Sequence, residues 1–184
     1  MKKLVILSVL FTSMLTFAQN TINSREGYTP NIGIMVNMLD DLKNRVTKRV
    51  QNANQEQTDF LLDDKANRVG AMIMHLAATE AIYQKLSFEG SEFNKEEEEK
   101  WNTALNLGDK AREELKGKPI KYYLDLWDEV REKTLATLKT KDDEWFASTM
   151  NEHMNHHWAW FHVMEHQANH MGQIAMLASR GPSK

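Results

Sequence analysis

Histidine is concentrated near the carboxyl end of this 184-residue chain, where six of the seven histidines lie within eighteen residues. Imidazole is a good ligand of Zn²⁺, Ni²⁺ and Fe²⁺, so the cluster points first to metal chemistry. A four-residue step on an α-helix turns a side chain by about 40°, so His162, His166 and His170 would share one face, which we expect to point inward. The spacing allows two ligand pairs, His162 with His166 or His166 with His170. It also fits core histidines that are satisfied by hydrogen bonds.

The seventh histidine, His75, lies far from the others in sequence, in an apolar stripe that includes Met72 and Ile82. Paired with an inward row of histidines on another helix, it becomes a third ligand. Three protein ligands leave part of the coordination sphere open, as in catalytic zinc sites, where bound water ionises near neutral pH. We expect no ligand among three histidines at the start of the last helix: His153, His156 and His157.

Two other metal-site motifs can be tested on the sequence. Residues 162–166 fit H-x-x-E-H, in which Glu165 would be the general base, but that pattern also needs a carboxylate ligand well downstream. No Asp or Glu follows Glu165, which counts against this motif. A ferritin-like di-iron site needs two E-x-x-H motifs, and the chain contains none.

Four stretches of apolar residues repeat at three- and four-residue steps, the period of an amphipathic helix. They cover about 32–50, 64–86, 120–138 and 155–179, and Pro30 follows Thr29, a candidate N-cap of the first. The pattern predicts an all-α four-helix bundle, whose interior is a usual place for metal sites. A long polar insertion, 88–119, separates helices two and three. Asn94 and Glu97 form a capping-box pattern, which makes the insertion partly helical over about 95–107.

Two segments resemble motifs of the DinB-like (damage-inducible protein) superfamily. His75 within 69–77, followed by Glu80, resembles its helix-two motif. Residues 165–174, EHQANHMGQI, resemble its helix-four motif, usually written H-x-x-x-H-R-G-Q-I, and 123–138 is similar to its third helix. The resemblance covers most of the chain and keeps the family's order of motifs.

This resemblance implies a four-helix bundle that binds one divalent metal ion, most often Zn²⁺ or Ni²⁺, with Fe²⁺ or Mn²⁺ as alternatives. Carried over residue by residue, the ligands are His75, His166 and His170, and His162 is a neighbour of the site. The chain departs from the pattern at Met171, where the family commonly has Arg. A role of that Arg in anion binding therefore does not carry over.

Family members with known activities include thiol transferases that use mycothiol, bacillithiol or glutathione, and many others are assigned as hydrolases. We expect an exported, metal-dependent hydrolase that acts on a small molecule through water on the three-His site. One alternative is a non-catalytic periplasmic metal carrier, which would suit the many Met and His residues. The other is a thiol S-transferase-like enzyme, which the cytosolic location of those thiols counts against.

No general acid or base can be assigned from the sequence. Glu80 and Glu165 are the nearest acidic residues, but each is displaced by about 100° or more from the ligand face of its helix. Tyr83 and Trp127 are aromatic residues that could line a pocket or pack in the core.

Composition limits the partners and the location. The chain has no Cys, which excludes thiolate metal sites. Its net charge of −3 gives no electrostatic reason to expect binding to nucleic acid. Lys2 and Lys3 precede an apolar run that ends near Ala18, the pattern of a secretory signal peptide. We therefore expect a signal peptide at 1–18 and a DinB-like domain at 19–184, periplasmic or secreted and free of the membrane after cleavage. The sequence is compatible with a homodimer and does not determine the oligomeric state.

Protein exported by its native host should begin at or near Gln19, because signal peptidase cleaves after a small residue such as Ala18. Intact-mass analysis of the exported protein checks this. A membrane-bound product that retains Met1 would favour an uncleaved anchor instead.

Overall fold

The computed structural model describes residues 21–183, and this part of the chain is mostly helical, as the periodicity predicts. The predicted signal peptide, 1–18, lies outside the described residues. The elements in chain order are α1 (Pro30–Val50), α2 (Gln55–Thr58), α3 (Val69–Gln84, continued by a π-helical turn, Lys85–Glu89), α4 (Lys95–Asn106), α5 (Gly108–Glu114), α6 (Ile120–Leu138), α7 (Asp143–Ala147), β1 (Thr149–Asn151), β2 (Met154–Asn155) and α8 (His156–Arg180). The antiparallel pair β1–β2 was not predicted.

The four long helices, α1, α3, α6 and α8, enclose the core. Helix α3 packs against both α6 and α8, and α1 packs against α8. Every residue of α3 from Val69 to Ala81 is buried, so this helix is central. Trp127 of α6 and Trp160 of α8 are completely buried and fill the two halves of the core. None of the helices in the described range is both long and apolar enough to cross a membrane.

The start of α3 differs from the sequence prediction, whereas α1 begins at Pro30 with Thr29 in the N-cap position, as predicted. Helix α3 begins at Val69 and not near 64, because the Asp63 carboxylate accepts hydrogen bonds from the backbone N–H groups of Lys65 and Ala66 and holds a turn there. Thr29 does not cap α1 with its side chain. It donates to Asp143 at the start of α7, whose carboxylate accepts from the first N–H groups of α1 instead.

Helix α4 packs on α3 through its buried face, which carries Trp101 and Ala104. Its start has the predicted capping box: the Asn94 side chain accepts from the Glu97 backbone, and the Glu97 carboxylate accepts from the Asn94 backbone. These bonds satisfy N–H groups that the first turn leaves free. The polar segment between α3 and α6 is therefore an ordered part of the structure, and it reaches the middle of α3.

A buried ion pair joins α3 to α6. The Glu80 carboxylate, which has no exposed surface, accepts hydrogen bonds from Arg131 (2.7 Å), Thr134 (2.6 Å) and Trp127 (3.1 Å). Arg131 also donates to Asp40 of α1 at 2.9 Å. Burial alone raises the pKa of Glu80, but the Arg131 charge and these hydrogen bonds outweigh it, so the pKa lies below its ordinary value.

The substitution Glu80→Gln should lower the free energy of unfolding by about 3 kcal/mol at pH 7, because it leaves the Arg131 charge buried with less compensation. Since the pKa of Glu80 is lower in the folded state, its contribution is present above the ordinary Glu pKa of about 4.3 and is lost as the pH falls through the folded-state value. Urea unfolding at several pH values measures both effects.

The control is Glu99→Gln on the exposed face of α4, which should change stability by less than about 0.5 kcal/mol. A loss of stability in Glu80→Gln that is equally large at pH 7 and pH 3 would contradict the ion-pair explanation.

Candidate metal centre

The row of histidines lies at the edge of the buried face of α8. The buried seam of this helix includes Trp160, Val163 and Gln167, whereas His166 and His170 are partly exposed. We expected from the sequence that this row points inward, and this prediction was wrong, since all three of its histidines are partly exposed. His166 is one residue from Gln167, a rotation of about 100°, which moves it from the core to the flank that borders α3.

His75 of α3 meets this flank. Its Nε2 lies 2.9 Å from Nε2 of His166, and its ring centroid lies 4.8 Å from that of His170. One ring nitrogen from each of the three histidines lies within 4.8 Å of the others. Among residues 21–183, no other group of three His, Asp or Glu side chains converges in this way. The structure therefore brings together the three residues that the resemblance implies as ligands.

Hydrogen bonds at the outer nitrogens orient two of the three rings. His75 Nδ1 lies 2.9 Å from the backbone carbonyl of Ala104, which can only accept, so Nδ1 carries the proton and Nε2 has a free lone pair. His170 Nδ1 lies 2.9 Å from Oε1 of Gln173, which in the same way leaves Nε2 of His170 free. Such partners fix the ring tautomer and orientation in metal sites. The Thr79 hydroxyl lies 3.4 Å from Nε2 of His166.

Electrostatics keep these imidazoles neutral at pH 7. Burial lowers the pKa of His75 and of His170. Burial and then the neighbouring His170 and His75 lower the pKa of His166 to about 4. A neutral imidazole is the form that binds a metal, so this donor set fits a divalent ion without first losing protons.

The other histidines lie outside the cluster. The ring centroid of His162 is 5.9 Å from that of His166, one turn away, and its Nδ1 is 3.9 Å from Glu165. His156 is buried and bonded to Ser148. His153 and His157 are exposed.

Neither acidic neighbour is placed for catalysis at the cluster. Glu80 is fully bonded within the ion pair with Arg131, and Glu165 is partly exposed beside His162. Of the two aromatic candidates, Trp127 donates to Glu80 in the core, and Tyr83 is half-buried with its ring centroid 5.6 Å from that of His162.

The partners of the histidine rings were not predicted from the sequence. Gln173 lies three residues after His170 on the same helix, within the motif that carries the resemblance, and that spacing was a usable signal. The sequence carries no signal for the contact with the Ala104 carbonyl, because every residue type has a backbone carbonyl.

Comparison with protein-family models gives a match to the model described as Mycothiol-S-transferase, over residues 34–180. The match includes α3, which carries His75, and α8 up to its last residue. It confirms the resemblance to DinB-like proteins, of which this family is one. A comparison with curated proteins gave no match.

The substitutions His75→Ala, His166→Ala and His170→Ala should each abolish stoichiometric metal binding, because two imidazoles are too few for tight binding. Elemental analysis after dialysis measures this. The matched controls His153→Ala and His157→Ala remove exposed imidazoles and should keep one equivalent. A full equivalent of metal in His75→Ala would exclude the three-His site.

The substitution His162→Ala should keep one equivalent of metal under the same dialysis, because its ring lies a turn below the cluster. The same experiment separates the two possible ligand pairs on α8, since His170→Ala should lose the metal. Loss in His162→Ala with retention in His170→Ala would assign the ion to His162 and His166.

Proposed function

The chain belongs to the mycothiol-S-transferase family of DinB-like proteins, and we propose that it is a metal-dependent enzyme that transfers a low-molecular-weight thiol to an electrophile. In this proposal His75, His166 and His170 bind one divalent ion, with Zn²⁺ or Ni²⁺ favoured and Fe²⁺ or Mn²⁺ as alternatives. From the sequence we expected a metal-dependent hydrolase, with a non-catalytic metal carrier or a thiol S-transferase-like enzyme as the alternatives; the family match moves thiol transfer to first place.

The observation that carries the proposal is the convergence of three neutral imidazoles at a partly exposed edge between α3 and α8. These three histidines would hold a divalent ion, which would lower the pKa of a bound thiol or water molecule and so supply a nucleophile at neutral pH. His75 is buried, whereas His166 and His170 are partly exposed. A small substrate therefore reaches the site from the α8 side.

Residues next to the three histidines hold the imidazole rings in position. Ala104 and Gln173 hold two imidazoles in place from their outer nitrogens, so the donor set is organised before any ligand binds. In the transfer, a bond forms between the thiol sulfur and the electrophilic carbon. The leaving group departs with the bonding electron pair, and the thiol proton passes to solvent.

Hydrolysis is the second candidate, because the same open site can activate water. It would have to proceed without a carboxylate base from Glu80 or Glu165, since neither side chain is placed at the cluster. The third candidate is a metal carrier without turnover. Met171 stands where the family commonly has Arg, so any anionic group of a thiol substrate would need a different contact.

We also propose that α1, α3, α6 and α8 form a four-helix bundle, with 88–119 as an insertion that positions His75 through α4. The packing of α3 on α6 and α8, and of α1 on α8, supports this. The proposed location is periplasmic or secreted, on the signal-peptide pattern at 1–18. A transferase in that location requires a thiol outside the cytosol.

The test is turnover by the metal-loaded protein with mycothiol, bacillithiol or glutathione and 1-chloro-2,4-dinitrobenzene, in parallel with ester, amide and phosphate substrates. We expect conjugation with at least one thiol, lost in His170→Ala and retained in His157→Ala. Metal-dependent cleavage of an ester, amide or phosphate without thiol conjugation would assign a hydrolase. Stoichiometric metal with neither reaction would assign a carrier.

A further inference from the structure

A cavity of about 410 Å³ lies between α3, α4 and α6, and no histidine lines it. Its floor is formed by buried side chains, those of Ala81, Gln84, Trp101 and Val130. The cavity lies where α3 changes into the π-helical turn Lys85–Glu89, and such turns are rare and often occur at functional sites. Its volume is in the range of small-molecule sites, about 300–1,000 Å³. It is therefore a candidate ligand site that is separate from the histidine cluster.

Gln84 provides an unused hydrogen-bond acceptor at the floor of this cavity. The residue is only 3% exposed. Its Nε2 donates to the Val130 carbonyl (2.7 Å) and to the Thr134 hydroxyl (2.8 Å), so both amide protons are used. Its Oε1 accepts no hydrogen bond within residues 21–183, and it is not one of the sealed, unpartnered oxygens such as Asp59 Oδ1 and Tyr123 Oη. A ligand in the cavity can therefore reach Oε1, and a buried acceptor of this kind calls for a donor.

Opposite charges in equal number surround this floor. The lining includes three lysines and three glutamates: Lys85, Lys100, Lys133, Glu96, Glu97 and Glu129. Lys85 is 3.5 Å from Glu97, so these two charges offset each other. Lys100 lies over the Trp101 ring, with its Nζ 4.7 Å from the ring centroid. Within the described residues, neither Lys100 nor Glu129 forms an ion pair, so one charge of each sign is free to contact a ligand.

We propose that this cavity binds a small zwitterion, an α-amino acid with an apolar side chain. The ammonium group donates to Oε1 of Gln84 and faces the carboxylate of Glu129. The carboxylate of the amino acid pairs with Lys100, and its side chain packs against Trp101 and the half-buried Phe93. Binding involves no covalent step and does not depend on the proposed thiol transfer.

The contacts favour a ligand with both charges over one with a single charge. A cation alone would be repelled by the lysines of the lining, and an anion alone by its glutamates. Glu129 precedes Val130, whose carbonyl accepts from Gln84, so a carboxylate and a free amide oxygen border the same part of the cavity. An ammonium group suits this pair, because a charged donor makes a stronger hydrogen bond than a neutral one. The apolar floor favours an apolar side chain.

The first experiment is calorimetric titration of the metal-loaded protein with L-phenylalanine. The matched probes are 2-phenylethylamine, which lacks the carboxylate, and 3-phenylpropanoate, which lacks the ammonium group. L-Phenylalanine should bind about tenfold more tightly than either probe, because each probe loses one charge-assisted contact. Backbone amide NMR shifts should change most at 81–85, 93–101 and 129–133, the segments that line the cavity.

Variants of the two free charges test the assigned contacts and leave intact the Gln84 amide, which also joins α3 to α6. Lys100→Met should weaken L-phenylalanine binding about tenfold and should not weaken 2-phenylethylamine binding. Glu129→Gln should weaken L-phenylalanine binding and should not weaken 3-phenylpropanoate binding. The matched controls are Lys110→Met on α5 and Glu132→Gln on α6, exposed residues outside the lining, and both should bind L-phenylalanine as the wild type does.

The metal centre needs its own control, because α-amino acids also chelate metal ions. The variant His170→Ala, which should lose the metal, should still bind L-phenylalanine with wild-type affinity. Loss of binding in this variant, or NMR shifts centred on His166 and His170, would place the amino acid on the metal ion and contradict the proposal.

Two further results would overturn the proposal. Equal affinity for L-phenylalanine and for either single-charge probe would show that the cavity does not recognise a zwitterion. No binding of L-phenylalanine at millimolar concentrations would leave water as the partner of Gln84. Neither result bears on thiol transfer, which is tested by the conjugation assay and the three-His variants.

Discussion

The ion pair between Glu80 and Arg131 is the interaction on which the arrangement of the long helices depends. A carboxylate and a guanidinium that are both removed from water are stable only with each other and with a complete set of hydrogen bonds. Those bonds come from α1 through Asp40, from α6 through Trp127 and Thr134, and from α8, where the Gln167 amide lies 3.3 Å from the Glu80 carboxylate. Sliding any one helix would leave a buried charge without its partners.

The same constraint also positions the candidate metal centre. On α8, Gln167 contacts the ion pair, and the residue before it, His166, belongs to the histidine cluster. On α3, Glu80 belongs to the ion pair, and the residue before it, Thr79, lies beside His166. A single residue turns a helix by about 100°, which keeps the charged network and the imidazoles on separate faces. The same buried contacts therefore fix the register in which His75 meets His166.

The sequence predicted the features that repeat along a helix and missed those that depend on contacts between helices. Apolar periodicity located the long helices, and the spacing of His166 and His170 placed them on one face. The spacing did not show that this face lies at the edge of the core. Which residues of α8 are buried depends on the side chains of α1 and α3 that pack against it. The support of His75 by the Ala104 carbonyl was likewise invisible, since any residue type supplies a carbonyl.

We propose that one divalent ion is bound by imidazole nitrogens from α3 and α8 together. The most direct test is anomalous diffraction at the metal absorption edge from crystals of the metal-loaded protein. We expect one peak at about 2.0–2.1 Å from a ring nitrogen of each of His75, His166 and His170. A peak bound by His162 and His166, with His75 and His170 out of reach, would contradict it.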